Sequence, residues 1–140
     1  MRQAIALAKE AAEEGEVPVG AVVVFDGKGR NRREISKNAL AHAEIEAINE
    51  ACRALGGWRL WQCDIYVTLE PCPMCTGAII NSRIKRLVYG ASDYKAGSCG
   101  SVIDLFSLPY NHKPEVAKGV MQEECAALLS DFFKKLRKKL

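Results

Sequence analysis

The chain has 140 residues, 49% hydrophobic and 26% charged, the size and mix of one ordinary globular domain, which excludes a disordered tail or a fibre. Its net charge of +3 is unevenly placed: Lys134, Lys135, Arg137, Lys138 and Lys139 all fall in the last seven residues, leaving a slightly acidic body. No apolar run approaches the roughly 18 residues of a membrane span, and Met1 to Gly15 lacks a signal-peptide core, so the expectation is a cytoplasmic protein without a membrane partner.

Arg2 to Glu14 is alanine-rich, with Ile5, Ala8 and Ala12 at near-helical spacing, and predicts a helix closed by Gly15. Val19 to Phe25 is nearly all apolar and β-branched, the pattern of a strand buried on both faces, and Asp26-Gly27 signals a turn into a hairpin return. Ala41 to Leu55 reads as a helix with Ile45, Ile48, Cys52 and Leu55 on one stripe and a stop at Gly56-Gly57. Asp64 to Leu69 is the next strand. Pro71 and Pro73 stand where a helix begins, Thr76 to Ser82 continues it, and Arg86 to Gly90 is a further strand. A Gly/Ser-rich loop (Gly97 to Ser101), an apolar turn at Ile103 to Phe106 and a weak strand pattern at Glu115 to Lys118 follow. From Gln122 a long helix repeats Leu128, Phe132, Leu136 and Leu140 every fourth residue. Strands alternating with helices, plus one hairpin, predict a single α/β domain over 1–140, with one mixed sheet covered on both faces. Trp58 and Trp61 fit either a core or an interface.

Six cysteines in a chain able to bury a core point to reduced thiols rather than a disulfide framework. Only Cys72 and Cys75 have ligand spacing, and the other four read as small core residues. His42-Ala43-Glu44 opens one predicted helix and Pro71-Cys72-Pro73-Met74-Cys75 opens another. The intervening chain holds a helix, a loop and a strand, enough to bring two helix starts together on one side of the sheet. Two thiolates and one imidazole suit zinc, and three protein ligands leave the open position of a catalytic site. Helix N-termini favour thiolate over thiol. Glu44, two positions from His42, faces another side of the helix start, where a proton shuttle can work without ligating. Taken singly, a C-x-x-C pair also fits half a zinc ribbon or a thioredoxin-like dithiol, and a His and a Glu at a helix start fit caps and solvated surface.

Jointly these residues form the H-x-E and P-C-x-x-C pattern of zinc-dependent nucleobase deaminases. The chain resembles, over nearly its full length, the bacterial tRNA-specific adenosine deaminases that make inosine at the wobble position of the anticodon. The likeness extends through GEVPVGAVVV (15–24), AHAEIEAI (41–48), YVTLEPCPMC (66–75), SRIKRLVYGASD (82–93) and ECAALLSDFFKKLR (124–137). It implies a cytidine-deaminase-like fold of three α/β/α layers on a mixed five-stranded sheet, a homodimer, one Zn2+ per chain, and attack at C6 of a flipped-out adenosine in the tRNA anticodon stem-loop. By the same resemblance His42, Cys72 and Cys75 ligate zinc, and Glu44 takes a proton from water, protonates N1 and helps ammonia leave. Pro71 walls the base pocket and Asn31 hydrogen-bonds the nucleoside. Asp93 and Lys95, Asn111 and His112, and Phe133 and Arg137 lie along the RNA path. Beside an aromatic pair, the basic end then suits stacked bases and phosphate rather than a merely solvated helix tail.

Between Val24 and Asn31 stand six residues, fewer than the family's hairpin, and the sequence opens directly on its first helix. The expectation is therefore a longer parent chain and a break near Lys28-Gly29. Two other functions share parts of the pattern. A deaminase of a free base or nucleoside (guanine or cytosine compounds, cytidine included) has the same metal site, and a non-enzymatic zinc protein has the ligands without a working Glu44.

Overall fold

A computed structural model of the chain describes residues 1–25, the backbone of 28–31, and 42–138. In chain order the elements are α1 (Arg2–Glu13), β1 (Ala21–Phe25), β2 (Lys28–Asn31), α2 (Ala43–Leu55), β3 (Cys63–Leu69), α3 (Pro73–Asn81), β4 (Arg86–Ala91), a 3-10 turn (Leu105–Ser107), β5 (Glu115–Lys118) and α4 (Gln122–Lys138). Every element the sequence predicts is found, with ends shifted by one or two residues.

The strands form one five-stranded sheet in the order β2-β1-β3-β4-β5. β1 runs antiparallel to both β2 and β3, while β3, β4 and β5 are mutually parallel. Parallel strands need crossovers that cover the sheet, and here α3 connects β3 to β4. On one face α2 and α3 bring Ala47, Ile48, Ala51, Ile79 and Ile80 against Val23, Ile65, Val67, Leu87 and Tyr89, the main core. On the other, α1 and α4 pack Ile5 and Cys125 with Ala91, Leu69 and Leu128. The architecture is the expected α/β/α sandwich of a cytidine-deaminase-like fold.

Two glycines let the second helical layer approach. A Cβ on Gly20 would collide with the Ala4 carbonyl of α1, and one on Gly90 would collide with the Cys125 side chain of α4. Gly56 ends α2 at φ 72°, the left-handed conformation that glycine adopts without penalty.

Two expectations need correction. No break occurs near Lys28-Gly29: β2 runs through both residues, and the register Phe25↔Lys28 leaves only Asp26 and Gly27, which lie outside the described residues, between the strands. The inward line of α2 is Glu44, Ala47, Ile48 and Ala51; of the predicted stripe Ile48 is buried and Cys52 packs partly against the core, while Leu55 is 38% exposed. Alanine permits close approach to β1, so the helix turns its small residues inward. On α4 only Cys125 is buried; Leu128 and Phe132 are partly covered, Leu136 is 47% exposed, and Leu140 lies outside the described residues.

All six cysteines are free thiols, with Cys63, Cys75, Cys99 and Cys125 buried. Trp58 and Trp61 are exposed, with the Arg59 guanidinium stacked over both rings. Among the described residues, no helix is long and apolar enough to cross a membrane.

Candidate active site

Two helix starts meet beyond the C-terminal end of β3. His42 is the N-cap of α2 and Cys72 the N-cap of α3; both have extended backbones, and neither side chain caps its own helix. Sterics favour that conformation for Cys72, because Pro73 follows it and fits the first helical position. The Cys72 carbonyl accepts from the N–H of Thr76 as the first turn closes, so Cys75 returns to the same side as Cys72. The His42 Nδ1 atom lies 3.5 Å from Cys72 Sγ and 3.3 Å from Cys75 Sγ. All three donor atoms fall within 4.8 Å of one another. Ordinary zinc–nitrogen and zinc–sulfur bond lengths at a tetrahedral centre put nitrogen and sulfur about 3.5 Å apart. The donor set therefore fits a metal ion in both kind and spacing.

Glu44 stands in the first turn of α2, buried to 4% exposure. Burial raises its carboxyl pKa, only partly offset by its own backbone amide, by nearby His42 and by a hydrogen bond with Cys75. Burial likewise pushes the Cys75 thiol up, and the neighbouring Glu44 and Cys72 push it further. The Glu44 carboxyl and the Cys75 thiol, crowded away from water, disfavour their own ionised forms, and a bound cation reverses that preference. Glu44 stands outside the three-donor group.

The profile of the family described as MafB19-like deaminase matches residues 1–137. The tRNA-specific adenosine deaminase of Bacillus subtilis (strain 168) is 50% identical to the chain over 144 aligned positions, covering 99% of this chain and 89% of the relative. That of Haemophilus influenzae is 49% identical, covering 98% and 83% respectively. The chain belongs to this deaminase family. A solved structure from work on A-to-I editing by tRNA:A34 deaminases superposes on the deaminase with a TM-score of 0.88 at 46% identity, covering 92% of this chain and 97% of that one.

The other residues singled out by sequence are dispersed over the deaminase. Asp93 shapes its own loop: Oδ1 accepts from the backbone N–H groups of Lys95 and Ala96, and its carbonyl accepts from Gly97. His112 Nε2 lies 2.6 Å from the carbonyl oxygen of Ile84. Ile84 precedes β4, whereas the cysteines follow β3, and the two strands are parallel, so His112 sits at the opposite end of the sheet from the donor cluster. Phe133, 42% exposed, meets Phe132 edge to face at 5.4 Å, and Arg137 is exposed in the last turn of α4. Asn31 pairs with Val22 in the β1–β2 register, and its side chain lies outside the described residues.

Glu70 escapes a reading of the sequence, which contains only a carboxylate before a proline. Its side chain is 2% exposed. Oε1 accepts from the Asp93 amide (3.1 Å) and the Ser101 hydroxyl (2.5 Å), while Oε2 accepts from the Cys99 (3.0 Å) and Ser101 (3.1 Å) amides. Burial alone would raise this carboxyl; the Ser101 hydroxyl and the three amides outweigh it and hold the pKa below the usual range. A Cβ on Gly97 would strike the Glu70 carboxyl, so glycine there makes room for it.

Proposed function

We propose that the chain is a zinc-dependent hydrolase that deaminates adenosine to inosine at the wobble position of the tRNA anticodon loop. The observation that carries this reading is the convergence of His42, Cys72 and Cys75 with a buried Glu44 beside them. The names of the relatives supply the substrate class.

In this reading His42, Cys72 and Cys75 hold one zinc ion per chain. When bound, zinc supplies a water acidic enough to act as a nucleophile at neutral pH. Glu44 moves the protons: it accepts one from the attacking water, delivers one to N1 of the purine and assists the departure of ammonia from C6. Its place suits that task, because it is buried beside the donor cluster without belonging to it. Pro71, buried beside Cys72, walls the base pocket, and Asn31 hydrogen-bonds the nucleoside. Phe133 offers an exposed ring for base stacking, and Arg137 with the neighbouring lysines follows phosphate. Asp93 and His112 serve the RNA by holding the shape of their loops, since each has an internal hydrogen bond.

The same reading takes 1–140 as one deaminase domain acting in the cytoplasm, where tRNA is modified, and as a homodimer. Exposed Trp58 and Trp61 supply apolar surface of the kind that a second copy covers. The test compares an anticodon stem-loop bearing wobble adenosine with free adenosine, guanine and cytidine at fixed salt. Inosine formed on the stem-loop, without turnover of the free compounds, is expected; fast turnover of a free base or nucleoside with none on the stem-loop would assign the chain to small substrates instead.

A further inference from the structure

The hydrogen bonds around Glu70 form a closed circuit about the turn that carries the two cysteines. The Glu70 carboxylate holds the amides of Asp93, Cys99 and Ser101. Ser98, within the same loop, donates its amide to the Pro71 carbonyl at 2.9 Å. The Thr76 hydroxyl, one residue beyond Cys75, also donates to the Pro71 carbonyl and lies 3.3 Å from Cys99 Sγ. Glu70 itself is fixed at its backbone, where its N–H donates to Ala91 of β4. Residues 70–76 and 93–101 are thus tied together at both ends of the segment that presents Cys72 and Cys75, by groups that are largely buried.

We infer that Glu70 is a positioning residue: its carboxylate fastens the 93–101 loop to the 71–76 turn and so fixes the spacing of the two thiolates around the metal. The inference rests on the metal reading given above. Its chemistry is specific, because each carboxylate oxygen receives two donors and none of the four hydrogen bonds asks Glu70 to donate. A glutamine of the same shape must turn its NH2 group either toward the Cys99 and Ser101 amides, leaving both unpaired, or toward the Asp93 amide and the Ser101 hydroxyl, where the hydroxyl can turn to accept but the amide is left unpaired. Groups that orient metal ligands from behind typically change metal affinity or activity by about 10- to 100-fold when altered.

The experiment uses the full chain loaded with zinc, and separately with cobalt(II), whose absorption reports ligand geometry. Glu70→Gln is expected to retain native helix content by circular dichroism, to lose zinc to a chelator with affinity weakened about 10- to 100-fold, and to shift the thiolate-to-cobalt band. Ser101→Ala removes the hydroxyl donor but keeps the backbone amide, and is expected to weaken zinc affinity by less than the glutamine variant. A folded Glu70→Gln with unchanged zinc affinity and cobalt spectrum would overturn the inference while leaving the metal site intact. If Glu70→Gln does not fold, Ser101→Ala decides: unchanged affinity and spectrum overturn the inference. Failure of the unaltered chain to bind either metal would overturn the metal reading and this inference with it.

Discussion

His42 Nδ1 and Cys75 Sγ lie 3.3 Å apart although 33 residues separate them in sequence. The distance follows from topology: α2 and α3 cover the same face of the sheet, and each begins with a residue whose side chain is not used to cap its own helix. The first turns of both helices point backbone N–H groups toward the cluster, a setting that favours anionic ligands.

Glu44→Ala should leave zinc in place, because Glu44 is not among the three donors, while lowering the rate of inosine formation by about a hundred- to ten-thousand-fold. Metal analysis and single-turnover assays on the same sample check this. A fully zinc-loaded variant with an unchanged rate would remove Glu44 from the chemistry.

Metal removal should destabilise the fold, since the three donors come from the starts of two helices packed on one core. A ligand that binds only the folded state stabilises it by about 4 kcal/mol at a thousandfold excess over its dissociation constant. Chelation is therefore expected to lower Tm, with zinc restoring it and magnesium not, because the sulfur-rich donor set suits the softer ion. Identical melting with and without chelator would contradict it.

Gly20→Ala tests the packing of α1. The added Cβ meets the Ala4 carbonyl, which belongs to helix backbone and cannot rotate aside. Overpacking of this kind costs about 1–3 kcal/mol, and a urea titration should show the unfolding free energy lowered by that amount, with the midpoint falling in proportion. Gly57→Ala has open space at its Cβ and serves as the comparison, with a far smaller shift expected.

Alkaline pH should weaken the fold through Cys99 and Tyr89. Burial pushes both up to about 12, so the folded chain holds protons that the unfolded chain gives up at lower pH. Their contribution is complete below the unfolded values, roughly 8.5 for cysteine and 10 for tyrosine, and disappears as pH rises toward 12. Denaturant midpoints measured from pH 8 to 11 should fall steadily, and Cys99→Ala should lessen the fall.

Neutralising Lys134, Lys135, Arg137 and Lys138 together should weaken RNA binding and flatten its salt dependence, with the logarithmic slope falling by about 0.7 for each phosphate no longer neutralised. The rate of the chemical step at saturating RNA should be unchanged, because these side chains stand on exposed turns of α4. An unaltered salt slope would return the basic end to the status of a solvated helix tail.

Much of the fold is legible in the residues. Proline at the first position of α3, the β-branched run of β1 and Gly56 after α2 each act within a few residues, so local chemistry declares them. The cysteine pair and His42 are legible because metal ligation demands particular side chains at particular places. The inward face of α2 is less so: periodicity weights large side chains such as Ile45 and Leu55, while the helix seats Ala47 and Ala51 against the sheet. The partners of Glu70 are backbone amides from residues 93 to 101, and an amide has no sequence signature. For the same reason nothing in the sequence announces that His112 meets the Ile84 carbonyl.

The most direct test is zinc content measured together with inosine formation on a wobble-adenosine stem-loop, for the unaltered chain and for Cys75→Ala. One zinc per chain with inosine produced, and both lost in the variant, is the predicted result. Robust deamination by chains that contain no zinc, or full zinc occupancy after removal of the Cys75 thiol, would contradict the account.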